Sequence, residues 1–325
     1  MTLRKIHALA ALPISLAANA AVADSNINNS DEWSVKGVNR VLLESGDLAT
    51  NLWYPEFFVT AKKGNWTIQA APDVVDKTAS ELGGDVGIRA HTATVAYDFG
   101  GVVLKGGVLP PFGRRLTGAE FDQGLMGAYL SDQLTIQGGV IGVQATYKAD
   151  ITDGMAAHWH VMGGTKDGEL SEFGNPQGAG FGAMIVGAGV EIQGDDFKAG
   201  YNYTDFGAGP NGEVQEVHYL YAAAYRDVGD VRLAAIGEVK HTFSENQVSG
   251  LRSEDTHYVG MVQATGKLSG DFGWRAAGGL ADDVPAVEGY LTYKPDNWAV
   301  QVGAAVVADK TGNEVVGNLV LKRSF

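Results

Sequence analysis

Apolar and polar residues alternate with period two along most of this chain, which is the pattern of extended strands with two unlike faces. The run Trp298-Ala-Val-Gln-Val-Gly-Ala-Ala-Val306 places Trp298, Val300, Val302, Ala304 and Val306 on one side, with Ala299, Gln301, Gly303 and Ala305 on the other. Phe272, Trp274, Ala276, Gly278 and Leu280 alternate with Arg275 and small residues, and Phe197, Ala199, Tyr201 and Tyr203 alternate with Lys198, Asn202 and Thr204. In Gln215–Tyr225 the odd positions carry Val217, Tyr219, Tyr221 and Tyr225, while the even ones carry Glu216 and His218. The odd face reads as the apolar one.

A soluble β-sandwich also alternates, so the length of the strands matters. The alternating segments run to roughly 10–14 residues, against a mode of about 5–6 in globular sheets, and that length suits a strand crossing a bilayer at a tilt. Their second face is small and polar rather than rich in Leu and Ile, as the lining of a wet lumen would be. Short turns such as Lys62–Asn65, Asp98–Gly101, Gln193–Asp196 and Asp227–Asp230 alternate with longer connections such as Thr165–Gly178 and Ser244–Glu254. The fold class predicted is an all-β, transmembrane antiparallel β-barrel. Strands are expected near 33–43, 52–62, 65–71, 86–99, 101–109, 139–149, 155–164, 180–192, 197–206, 214–226, 231–243, 255–268, 272–281, 286–294, 298–308 and 314–325. That makes 16 strands. Strands at Gly124–Leu130 and Gln133–Gln137 would raise the number to 18, the second choice, because the turn before 139 would then fall in apolar sequence.

Composition narrows the class further. The 325 residues include 45 glycines, 9 prolines and no cysteine, and charged residues make up 19%. Disulfide scaffolds and thiolate metal sites are thereby excluded. The formal charge of −14 argues against a nucleic-acid partner. Several glycines lie inside strands (Gly106-Gly107, Gly278-Gly279), where they permit close backbone approach and sheet curvature.

Arg4 and Lys5, the apolar stretch Ala8–Ala18 and the small residues of Ala21-Val22-Ala23 have the form of a secretory signal peptide over 1–23, cut before Asp24, with a cut after Ala20 as the second choice. Residues 24–325 would be the barrel, and loss of Arg4 and Lys5 takes its charge to −16. Beyond residue 23 no apolar run reaches the roughly 18 residues of a spanning helix. A membrane-crossing mature chain must therefore cross as a closed barrel.

One connection is unusually long. Pro110–Gly138, PPFGRRLTGAEFDQGLMGAYLSDQLTIQG, joins the fifth and sixth strands, and such a length calls for a function. With the step Leu104-Lys-Gly-Gly-Val-Leu-Pro-Pro-Phe-Gly-Arg114 and the final strand Val315–Phe325, which ends in an alternating pattern and a terminal Phe, the chain resembles the Gram-negative outer-membrane porins of the general, trimeric type. It departs from their usual ending at Arg323, where an aromatic is frequent. A Pro-Phe step of this kind also occurs in phosphate-selective porins.

The resemblance implies a passive diffusion channel for small hydrophilic solutes and ions in the cell outer membrane, homotrimeric, in contact with membrane lipid and lipopolysaccharide, with the loop 110–138 folded into the lumen. It sets acidic loop residues, here Glu120 and Asp122, against a basic wall, here Arg40 and Lys105, while Arg114 and Arg115 offer an anion site on the loop itself. By parity the lumen face would also present Lys36, Lys62, Lys198, Arg226, Arg232, Lys240, Lys267, Arg275, Lys294 and Lys322, with Glu56, Asp98, Glu216, Glu238 and Glu288 among them.

The alternatives are a solute-selective channel, for phosphate or another anion, and a non-conducting structural or enzymatic barrel. His158 and His160 share a face at i, i+2 but no carboxylate on that strand completes a site, and no G-x-S-x-G occurs. No enzyme activity, cofactor or metal is expected. A sugar channel would show a line of aromatics on the inner face; here most are expected outside, with Tyr54 and Phe58 as exceptions.

Overall fold

The structure, a computed structural model, describes residues 33–45, 53–76, 86–109, 140–166, 184–208, 213–309 and 312–324. Sixteen strands follow one another: β1 (Ser34–Ser45), β2 (Trp53–Lys63), β3 (Trp66–Asp76), β4 (Val86–Asp98), β5 (Val102–Leu109), β6 (Val140–Thr152), β7 (Met155–Lys166) and β8 (Met184–Gln193). The second half continues with β9 (Phe197–Ala208), β10 (Glu213–Val228), β11 (Val231–Asn246), β12 (Leu251–Ser269), β13 (Phe272–Ala281), β14 (Val284–Tyr293), β15 (Trp298–Asp309) and β16 (Gly312–Ser324). Each pairs antiparallel with its neighbour, and β1 pairs with β16, with Arg40 opposite Lys322, so the sheet closes into a barrel. Closure leaves no exposed edge around the ring, as a barrel in lipid requires. The expected order of 16 strands is the one observed. The segments on which an 18-strand count depended lie outside the described residues, as does 1–23.

Short turns gather at one end of the barrel. At Lys63-Gly64-Asn65 and Val228-Gly229-Asp230 the tight reversal needs a left-handed residue, and Gly64 and Gly229 supply it at φ 53° and 61°. The β13–β14 turn at the opposite end is equally tight, but it is built from Asp282 and Asp283 at φ 47° and 70°. Asp283 accepts the Tyr258 hydroxyl, and Asp282 Oδ1 accepts the Tyr258 N–H at 2.8 Å, which ties the turn to β12.

The two faces are inverted relative to a soluble protein. Large apolar side chains lie on the exposed outer face: Val143, Val161, Leu220, Val262, Leu291 and Val302 are each more than half exposed. The inner face buries polar groups, among them Thr94, Asn202, Thr204, Glu238, Glu288 and Gln301. The ladder registers carry this division round the ring, because directly paired residues share a face. Aromatic residues mark the short-turn end of the outer face. Phe272 stacks on Tyr293 at 4.6 Å between ring centres, and Trp66 meets Tyr97 edge-on at 4.7 Å. Such an aromatic girdle bounding an apolar band is the outer surface of a transmembrane barrel.

β11 and β12 run longer than their alternation suggested. They pair as far as Asn246 opposite Leu251, so the expected loop Ser244–Glu254 shrinks to a turn at Gln247–Gly250. Above the apolar band these strands stand in water, where neither face needs to be apolar, and the hydrophobic signal lapses while the ladder continues.

Candidate functional site: the inner wall of the barrel

The inner face is the only surface that could line a passage, and its residues follow from the ladder. From Tyr219 and Tyr221 on β10 it passes to Lys240 and Glu238 on β11, then to His257 and Val259 on β12. Across β13 and β14 it includes Arg275 opposite Tyr290 and Ala277 opposite Glu288, and it reaches Gly303 and Gln301 on β15. On the other arc, Lys322 of β16 leads to Arg40 and Glu56, Ser34 lies opposite Lys62, and Lys105 sits between Ala96 and Gln144. Lys148 is opposite His158, which is in turn opposite Glu191.

Two polar assemblies stand on this wall. In the first, Arg275 reaches Glu288 Oε1 at 3.0 Å, the Tyr290 hydroxyl donates to Glu288 Oε2 at 3.0 Å, and the guanidinium lies 4.5 Å from the Tyr290 ring centre. The Glu288 side chain is wholly inaccessible and that of Arg275 nearly so. An ion pair so desolvated holds only because both carboxylate oxygens have partners. In the second, the Tyr221 hydroxyl donates to Glu191 Oε2 at 2.6 Å, and Lys198 Nζ lies 3.9 Å from Glu191 Oε1. Tyr221 on β10 reaches Glu191 on β8 across the intervening strand because its ladder partner on β9 is Gly200. A Cβ at Gly200 would stand 2.3 Å from the Tyr221 hydroxyl oxygen. Gly303 makes the same room beneath the Tyr290 ring.

Apolar patches complete the wall. Tyr219, Tyr221, Ile236, Val259, Met261 and Ala286 belong to one buried cluster on β10–β15. Leu109, Val140, Met162 and Ile185 form another, against which Phe206 packs, at the point where the chain leaves β5 and returns on β6.

Of the residues singled out from the sequence, Lys105 takes its place on the inner ladder, and Arg40 holds a ladder position between Glu56 and Lys322. Arg114, Arg115, Glu120 and Asp122 lie outside the described residues. The parity assignment is corrected on β10. Glu216 and Arg226 pair with Phe243 and Leu233, on the outer face, while Tyr219, Tyr221 and Tyr225 point inward. Tyrosine misleads here because its ring counts as apolar while its hydroxyl seeks a polar wall. The Gly200 that receives Tyr221 is visible in the sequence, but the register that brings them together is not. The other positions expected inward and described, Lys36, Lys62, Lys198, Arg232, Lys240, Lys267, Arg275 and Lys322 with Asp98, Glu238 and Glu288, follow the inner ladder. His158 and His160 share the inner face, and among the described residues no group of three His, Cys, Asp or Glu is placed to hold a metal ion.

No protein-family model and no curated protein matches the chain. Solved structures do. OmpF of Salmonella typhi, in complex with daunomycin, superposes with a TM-score of 0.60 at 14% identity, over 92% of this chain and 99% of that one. The anion-selective porin of Comamonas acidovorans gives 0.56 at 14% identity, over 90% and 99%. OmpT of Vibrio cholerae in its trimer form gives 0.56 at 11% identity, over 90% and 99%. Nearly the whole of each of these structures is matched, strand for strand, at identities that speak for architecture alone. The chain has the 16-stranded barrel fold of the porins.

Proposed function

We propose that this protein is a passive channel of a Gram-negative outer membrane, admitting small hydrophilic solutes and ions. The observation that carries the reading is the inversion of its faces: a closed 16-stranded ring with an apolar exterior and a wall bearing Lys, Arg, Glu and Gln. A ring of that size leaves an aqueous lumen unless something fills it. A lipid-facing exterior of this kind, the fold, and the signal-peptide pattern at 1–23 agree on an exported barrel in contact with lipid and lipopolysaccharide.

Constriction by the segment 110–138 belongs to the same proposal. In an open lumen the wall would be accessible, yet Tyr219, Glu238, Ile185 and Val140 on the inner face are at most 1% exposed. Chain must lie against them, and 110–138 is long enough and leaves the ring between Leu109 and Val140, both fully covered. Glu120 and Asp122 then stand across from Lys105 and Arg40, and a polar throat of that kind disfavours apolar solutes because its wall would lose water. Assembly as a homotrimer is part of the proposal, supported by the likeness to a porin solved as a trimer. Purified protein in planar bilayers should give discrete conductance steps, and replacing Glu120 and Asp122 together by Gln and Asn should alter both conductance and ion preference. Unchanged currents in that variant would remove the constriction from the proposal, and absence of any conductance would remove the channel.

A further inference from the structure

We infer that the channel prefers anions to cations, although the chain as a whole carries a formal charge of −14. The inference rests on the channel reading and adds the solute class. What a permeating ion meets is the charge on the wall, weighted by how accessible each group is, rather than the total charge of the protein.

The wall departs from the whole in sign. Away from the turns, its described inner positions hold the cations Lys36, Lys105, Lys198, Lys240, Arg275 and Lys322 against the carboxylates Glu191, Glu238 and Glu288. Accessibility widens the difference. The Glu288 side chain is fully covered and clamped by Arg275 and Tyr290, Glu238 is 1% exposed, and Glu191 accepts the Tyr221 hydroxyl beside Lys198. Lys36, Lys62 and Lys148, on β1, β2 and β6, are exposed on the same inner face. The carboxylates are thus turned into the structure of the wall, while the lysines are turned to the solute.

Most of the described acidic excess lies elsewhere. Asp195, Asp227, Asp230, Asp271 and Asp296 sit in the turns at one mouth of the barrel. Charges in open water there are screened within about 8 Å at physiological salt. Asp98, at the same end, is engaged by the Gly100 N–H at 2.8 Å. Glu216 and Asp205 pair with each other on the outer face and do not see the lumen. The segment 110–138 is close to balanced, with Arg114 and Arg115 against Glu120, Asp122 and Asp132.

The test is the reversal potential of the full-length protein in a planar bilayer under a tenfold KCl gradient. The expected sign is that of chloride preference. K36Q, K105Q and K148Q combined should move the reversal potential toward potassium, lowering the chloride-to-potassium permeability ratio several-fold, while heat-modifiable migration confirms that the barrel is folded. If that variant fails to fold, K36Q alone is read in the same way. Potassium preference in the parent protein, or an unmoved potential in a folded variant, overturns the inference while leaving the channel intact. A folded parent protein with no conductance overturns the channel reading, and the inference falls with it.

Discussion

From β8 round to β15, the inner wall holds its charges against one another. Glu288 lies between Arg275 and Tyr290, Glu191 between Tyr221 and Lys198, and Arg232 rests 5.1 Å from the Tyr225 ring centre. From β16 through β1 to β7 the same face carries Lys36, Lys62 and Lys148 exposed, among neutral partners such as Thr60, Thr67 and Gln144. The strands and the ladder are alike on the two arcs, and the faces differ in what their charges do. On one arc a charge is a structural joint, and its removal strands a buried partner. On the other it is a solvated group whose removal changes the electric field of the lumen but little of the fold.

The largest effect should come from breaking a joint. Arg275→Ala leaves the inaccessible Glu288 carboxylate without its counter-charge, and removal of one member of a buried pair costs about 3–5 kcal/mol. Urea unfolding of the barrel in lipid vesicles should show that loss, and Arg275→Met with Glu288→Leu should recover much of it. Lys36→Ala, on the other arc, should stay within about 0.5 kcal/mol of the parent. Equal losses for Arg275→Ala and Lys36→Ala would erase the distinction between the arcs.

Next in size is a steric test of the same joints. Gly200→Val drives a side chain into Tyr221 and should cost about 1–3 kcal/mol, most of it relieved when Tyr221→Ala is added. Gly237→Ala meets open space and should leave stability unchanged or slightly raised.

How far the sequence foretells this wall depends on which signal each part leaves. Strand order and most boundaries were legible because lipid demands an apolar residue at every second position, as in Trp298–Val306. Lys105, Arg275, Glu238 and Glu288 fell on the correct face by the same rule. The rule failed where a residue satisfies either face, as Tyr219 and Tyr221 do, and it carried Glu216 and Arg226 to the wrong side with them. It failed again at Ser244–Glu254, where the ladder rises beyond lipid and nothing forces alternation. The joints themselves left no local mark. Tyr221 and Glu191 are 30 residues apart, and only the register across Gly200 makes them neighbours.

A kinetic comparison can be made because the chain contains no cysteine, so that any introduced thiol reports alone. Ala223 on β10 is 4% exposed, whereas Lys36 on β1 is exposed, and both occupy inner positions. A water-soluble maleimide should modify Lys36→Cys more than about tenfold faster than Ala223→Cys, since the covered site reacts only through local opening. Deleting residues 118–130 should narrow that ratio if the segment 110–138 covers the β10 wall. A ratio unaffected by the deletion would assign the cover to another part of the chain.

The smallest effect concerns the mouth, where both arcs meet water and the distinction should be weakest. Arg232 is exposed at the short-turn end of β11 yet lies over Tyr225, and exposed cation–π contacts contribute about 0.5–1 kcal/mol. Lys148 stands at the same end on β6, exposed and opposite His158. Arg232→Gln should therefore lower stability by about 0.5–1 kcal/mol, and Tyr225→Leu should remove most of the difference between Arg and Gln at 232, a coupling that a double-mutant cycle isolates. Lys148→Gln should cost less than about 0.5 kcal/mol. If the two lysine and arginine substitutions are indistinguishable, the division between joint and field is confined to the interior of the wall, where burial enforces it, and ends before the rim.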